Sequence, residues 1–158
     1  IPKSSSLDKK ASALFGSVKS NLSENANIDY NFRVDNNYDR FEYNAVTANL
    51  IFKNLDTSFE WVEENGDVGD TNFLSNSSTY KFTDENLITF KTRRNRKINF
   101  TEYYDLIYEY KNDCLIASVK YNKKFYSDRD LKPSESLLFS MTFYPFTSYE
   151  HNETNLFK

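Results

Sequence analysis

The chain is short of the residues that break or staple a fold: 3 Gly, 3 Pro and a single Cys in 158 residues. One cysteine excludes an internal disulfide framework. Scarce Gly and Pro argue against a loop-rich scaffold and for long regular elements. No apolar run of about 18 residues occurs, which excludes a transmembrane helix but not transmembrane strands, whose sequence signal is far weaker. Basic and acidic residues, 20 and 23 in number, are intermixed and leave a formal net charge of −3. Without a global basic field, a general nucleic-acid binder is disfavoured. The one histidine, His151, sits in a polar stretch without a cysteine or patterned partner, so it supports neither a metal site nor triad chemistry. No nucleophile elbow, phosphate loop or dinucleotide fingerprint is present. No pair among the carboxylates stands out as an acid–base couple. We therefore expect no enzyme and no cofactor. The opening, IPKSSSLDKK, has neither an initiator Met nor the apolar stretch of a signal peptide, which fits a cytosolic protein, a mature form or an excised piece alike.

What the chain does have is aromatic side chains, 14 Phe and 12 Tyr, arranged with period two. In residues 101–113, Tyr104, Leu106, Tyr108 and Tyr110 alternate with Tyr103, Asp105, Ile107 and Glu109. That is the signature of a strand with one apolar and one largely polar face. Leu115, Ala117, Val119 and Tyr121 repeat it, and so do Leu137, Phe139, Met141 and Phe143. From this rhythm Tyr104, Leu106, Tyr108, Leu115, Val119, Leu137, Phe139 and Phe143 are expected on one continuous face.

Earlier in the chain, Ile28, Tyr30, Phe32 and Val34 alternate with polar residues and end at the turn-forming DNNYD. Further strands are expected over 40–53, 55–61, 79–82 and 86–94, and one over LFGSVKSNL unless that segment is a short helical turn. The fold predicted is all-β, an antiparallel up-and-down meander of about nine strands. Residues 1–12 form a polar lead-in, 13–147 the strand domain and 148–158 a polar tail. Residues 63–78, which hold two of the three glycines, are expected to be the longest surface loop. Its carboxylates Glu63, Glu64, Asp67 and Asp70 suggest calcium only weakly, because EF-hand spacing is missing. The basic run Lys91, Arg93, Arg94, Arg96 and Lys97 is a candidate phosphate contact, set against the plainer reading of a solvated strand end. Connections alternate short and long. The short set, near Ser23, at 54–55, 83–85 and 111–113, would make one rim, and 35–39, 63–78, 95–99 and 126–135 the other.

The run YDLIYEYKNDCLIASVKYNKKFYSDRDLKPSESLLFSMTFYPF resembles the end of the barrel domain of the LptD family, the outer-membrane lipopolysaccharide-assembly proteins also called organic solvent tolerance proteins. YEYKNDC and RDLKPSESLLF carry the likeness most specifically, and it spans 89–146. The resemblance implies a segment of a large outer-membrane β-barrel with its apolar stripes facing lipid. It further implies non-enzymatic insertion of lipopolysaccharide into the outer leaflet, with a lipoprotein plug resembling LptE as partner. It also implies that Cys114 pairs in a disulfide with the periplasmic N-terminal domain of the same protein, although Asp113 and Leu115 flank it where the family often has a cysteine pair. Read without the resemblance, Cys114 is equally a semi-buried thiol at a strand start. The competing class is a soluble lipocalin-like barrel with the same stripes turned inward around a small hydrophobic ligand.

Overall fold

The computed structural model describes residues 12–65, 69–126, 132–144 and 147–154. The period-two segments form ten strands: β1 (Leu14–Ser23), β2 (Ala26–Val34), β3 (Phe41–Phe52), β4 (Leu55–Asn65), β5 (Asp70–Lys81), β6 (Asn86–Asn95), β7 (Phe100–Lys111), β8 (Leu115–Lys124), β9 (Ser134–Phe143) and β10 (Thr147–Thr154). Each pairs antiparallel with the next in a single sheet whose spatial order is its chain order. β1 and β10 do not pair, so the meander is open. Among the described residues no helix is long and apolar enough to cross a membrane, which leaves crossing by strands an open matter.

The first eight connections run from two to four residues on one rim and from four to nine on the other. Those at 24–25, 53–54, 82–85 and 112–114 are short and share one rim. Those at 35–40, 66–69, 96–99 and 125–133 share the other, and 127–131 and 66–68 lie outside the described residues. With so few glycines, the turns place other residues in the left-handed region: Tyr38 (φ 62°), Lys53 (φ 43°) and Asn99 (φ 53°). Asn tolerates this conformation best because its short side chain bonds locally. Asn112 closes the 112–114 turn by accepting the backbone N–H groups of Cys114 (3.0 Å) and Leu115 (2.8 Å) on its Oδ1.

The structure corrects two expectations. Residues 63–78 are not a loop: β4 continues to Asn65, and β5 begins at Asp70 and pairs with both neighbours. The segment NFLSNSSTYK, rich in turn-forming Asn and Ser, is held extended by ladders on both sides, where sheet context overrides propensity. Residues 148–154, placed in the polar tail, belong to a tenth strand, Thr147–Thr154, against β9. The segment LFGSVKSNL forms the strand expected of it, and the alternative of a short helical turn falls away.

Candidate functional site

Cross-strand register fixes which side chains share a face, because residues directly opposite point the same way. Tyr104, Leu106 and Tyr108 lie opposite Lys123, Tyr121 and Val119. Leu115, Val119 and Tyr121 lie opposite Phe143, Phe139 and Leu137. All eight side chains expected on one face therefore share it. The same face continues through Ile88 and Phe90, Leu74 and Tyr80, Leu55, Phe59 and Trp61, Val46, Leu50 and Phe52, to Ile28, Tyr30 and Phe32. The opposite face carries Asn31 and Arg33, Ser58 and Glu60, Ser75 and Ser77, Lys91 and Arg93, Asp105, Lys120 and Asn122, and Ser136 and Ser140.

Burial assigns the inside to the polar face. The two buried apolar side chains among the described residues, Ala45 and Val62, lie on it, and so do buried Thr89 and Asp105. Leu14, Val18, Phe52, Phe59, Leu74, Tyr80, Phe90, Tyr104, Leu106, Tyr108 and Phe143 of the apolar face are exposed. Hollows of about 520, 300, 330 and 230 Å³ open on the polar face, one of them ringed by Tyr103, Asp105, Lys120, Asn122, Ser136 and Asn152. The sheet thus curls with its polar side concave, and bending crowds that side while it splays the convex apolar side chains apart. This inverts a soluble domain, whose apolar face closes on itself.

Ion pairs furnish the concave face. Lys120 Nζ lies 2.9 Å from Asp105, which also accepts from Asn122. Arg33 bridges Glu42 and Glu64, each at 3.3 Å. Arg93 Nε lies 2.8 Å from Glu102, and its guanidinium covers the Phe73 ring at 3.9 Å. Phe73 belongs to this face too, as do Phe15, Ile51, Ile107 and Leu138, so it is wet but not uniformly polar.

The basic run does not form one cluster. Lys91 and Arg93 face the concavity, and Lys91 has no ion pair among the described residues. Arg94 has the opposite parity and donates to Asn99 Oδ1 at 2.5 Å. Arg96 and Lys97 sit in the 96–99 turn, where Lys97 is paired with Asp70. Nor do the acidic residues converge. Glu63 accepts from Asn72, Glu64 from Arg33, and Asp70 is paired with Lys97; Asp67 lies outside the described residues. Among the described residues no group of three or more His, Cys, Asp or Glu could hold a metal ion. His151 Nε2 lies 3.1 Å from Glu153. Cys114 is exposed, on the short-turn rim.

The convex face has two polar features. One is a hydroxyl–amide island inside the apolar field: Thr57 Oγ1 and Ser78 Oγ are 2.7 Å apart, and Asn76 joins both. The other is a border facing the long-connection rim, where Glu63, Asn72, Arg94, Lys123 and Glu135 end the apolar stripes. Lys123 and Glu135 are ion-paired at 2.5 Å. Between border and turns, an apolar stripe such as Leu115 to Tyr121 rises about 20 Å along its strand. Sequence reading missed the bulges that create the Arg–Glu pairs, although Arg33 with Glu42–Tyr43 and Arg93 with Glu102–Tyr103 show the same spacing twice. Comparison of the chain with protein-family models, curated proteins and solved structures gives no match.

Proposed function

We propose that this chain is part of an outer-membrane β-barrel of the LptD type, whose apolar convex face meets lipid and whose polar concave face lines the path by which lipopolysaccharide reaches the outer leaflet. The observation that carries this reading is the inverted amphipathicity: a continuous convex field of exposed aromatic and aliphatic side chains backed by a concave face of ion pairs and hydroxyls. Outer-membrane barrels have that polarity, with an apolar band about 25 Å tall and short turns on the periplasmic side. The island at Thr57, Asn76 and Ser78 accords with it, since polar groups facing hydrocarbon must find partners within the protein. A lipocalin-like carrier needs the stripes inside around its ligand, whereas here the hollows open on the polar side.

The partners on this reading are lipopolysaccharide, outer-membrane lipids, an LptE-like plug in the lumen and a periplasmic N-terminal domain linked through Cys114, which lies on the short-turn rim. No covalent chemistry is assigned to the chain. The test is site-specific photo-crosslinking in cells, in the protein that carries this chain, with the probe at Lys91, Ser75 or Ser136 on the concave face and at Val119 or Phe90 on the convex face. Lipopolysaccharide adducts are expected at the concave positions and phospholipid adducts at the convex ones. Adducts with lipopolysaccharide at neither set, or equally at both, would overturn the reading.

A further inference from the structure

β10 does not fit the surface on which it lies. On the convex face, the row through Phe139, Val119, Tyr108, Ile88, Tyr80, Leu55 and Phe52 is aromatic or aliphatic in every strand from β9 to β3. β10 completes that row with His151, opposite Phe139. In the next row Glu153 stands opposite Leu137, beside Tyr121, Leu106 and Phe90. Tyr149, opposite Met141, also belongs to the strand's convex set, and its concave set is Ser148, Glu150, Asn152 and Thr154. Apart from Tyr149, the described side chains of β10 are therefore polar on both faces, although its backbone ladder to β9 runs the full length from Thr147–Phe143 to Thr154–Ser136.

Backbone pairing needs no particular side chain, but lipid exposure does. An ionisable pair such as His151 and Glu153, each more than half exposed, is out of place in hydrocarbon in a way the neutral island at Thr57 and Ser78 is not. An edge strand is a template for another strand, and polar or charged residues are the usual means of blunting it.

Building on the lipid-facing reading above, we propose that β10 is a cover on the edge of β9 and not a membrane strand. The edge it covers is a docking edge for an amphipathic β-strand with apolar side chains opposite Phe139 and Leu137. The occupant is specified by the edge itself: period-two apolar residues on the lipid side and small polar residues on the concave side. β8 already presents that pattern to the other edge of β9, with Val119 opposite Phe139 and Tyr121 opposite Leu137. In the membrane such a strand displaces β10 into water, and in its absence β10 keeps the β9 edge from pairing with other chains.

Two measurements on the full chain, in a Cys114→Ser background, test this. First, Val119→Cys and His151→Cys variants carry an environment-sensitive fluorophore in phosphatidylcholine vesicles and are quenched either by doxyl-labelled lipid or by aqueous iodide. Val119 is expected to respond several-fold more to the lipid quencher, and His151 several-fold more to iodide. Equal lipid quenching at both positions overturns the inference and leaves the membrane reading intact, whereas iodide quenching at Val119 removes both. Second, the Phe139→Cys/His151→Cys pair is oxidised in detergent micelles with and without a synthetic peptide of the β8 sequence LIASVKYNKK, with Met141→Cys/Tyr149→Cys as a second pair. The peptide is expected to lower the cross-link yield several-fold, and a peptide of the β10 sequence TSYEHNET to lower it less. A yield unchanged by the β8 peptide overturns the docking edge.

Discussion

Arg93 and Glu102 meet at 2.8 Å because a bulge in β7 turns Glu102 to the same side as Tyr103, the residue opposite Arg93. Arg33 and Glu42 repeat the device in β2 and β3, with Tyr43 in the place of Tyr103. A bulge inserts one residue against its partner strand and re-aims a side chain. Each bulge here delivers a carboxylate to the concave face at the long-connection rim. The two pairs differ in burial: side-chain exposure is 17% and 8% for Arg33 and Glu42, against 37% and 32% for Arg93 and Glu102. Removing a carboxylate from a buried pair strands the cation, whereas a partly exposed pair is screened by water. Glu42→Ala is expected to cost about 2 kcal/mol, with Glu64 left as Arg33's second partner, and Glu102→Ala under about 1 kcal/mol. Urea unfolding of the chain in detergent micelles measures both, and a larger loss for Glu102→Ala would refute the ordering.

Gly16 lies beneath the Phe32 ring on the neighbouring strand, so closely that a Cβ would fall within the ring. Phe32 in turn stacks on Tyr30 at 5.5 Å and meets Phe41 edge-on at 5.8 Å. Gly16→Ala gains up to about 1 kcal/mol from lower backbone entropy in the unfolded chain. It forces the ring aside and forfeits two aromatic contacts worth about 0.5–1.5 kcal/mol each. The expected net is a loss of about 1 kcal/mol, read as a lower urea midpoint with unchanged slope. A stabilised Gly16→Ala would show that the ring moves freely.

The two faces of β8 and β9 should respond oppositely to the same charge. Val119 faces outward beside Phe139, and Ser136 faces the concavity beside Asn122. An arginine on the lipid face near mid-membrane costs about 2–4 kcal/mol, whereas one in a wet lumen costs little. Val119→Arg should lower folding yield into phosphatidylcholine vesicles at least tenfold, and Ser136→Arg should leave it within about twofold. Similar yields for the two variants would contradict a lipid-covered convex face.

Period two exposed the strands wherever one face was apolar. Tyr104 to Tyr110 and Leu137 to Phe143 announced both a strand and the side it presents, because a slip of one residue would have exchanged the faces. The sequence hid the strands whose stripe is diluted. β5 carries Asn76 and Ser78 on the convex face, and these residue types signal turns until Thr57 appears opposite Ser78. β10 lacks a stripe altogether, and only its ladder to β9 defines it. Which face is concave was not legible either, since alternation is symmetric and only curvature, seen in the burial of Ala45, Val62 and Asp105, breaks the symmetry. The basic run illustrates the same limit. Five cations adjacent in sequence separate in space because alternation sends Arg93 and Arg94 to opposite faces, and Lys97 reaches instead to Asp70 across the rim.

Asp35 opens the 35–40 connection, outside the strands, and is 4% exposed. Burial acts to raise its pKa, but backbone N–H groups of Asp39 and Asn37, the Asp39 side chain and the Arg40 backbone outweigh it, and the carboxyl is held below its usual 3.8. The Asp39 N–H donates to Oδ1 at 3.1 Å. An unfolded-state carboxyl titrates near that ordinary value, so the folded chain holds fewer protons than the unfolded chain in the window just below it. The stabilisation is therefore complete above that ordinary value and is lost as pH falls through the lower folded value. Asp35→Asn keeps an acceptor in place but does not titrate, and a neutral amide accepts more weakly than a carboxylate. The variant should be less stable than the parent at pH 7 and should lose less of its remaining stability between about pH 4 and pH 2. Urea midpoints measured across pH 7 to 2 decide this, and parallel acid limbs for the two proteins would mean that Asp35 is not the group that anchors the turn.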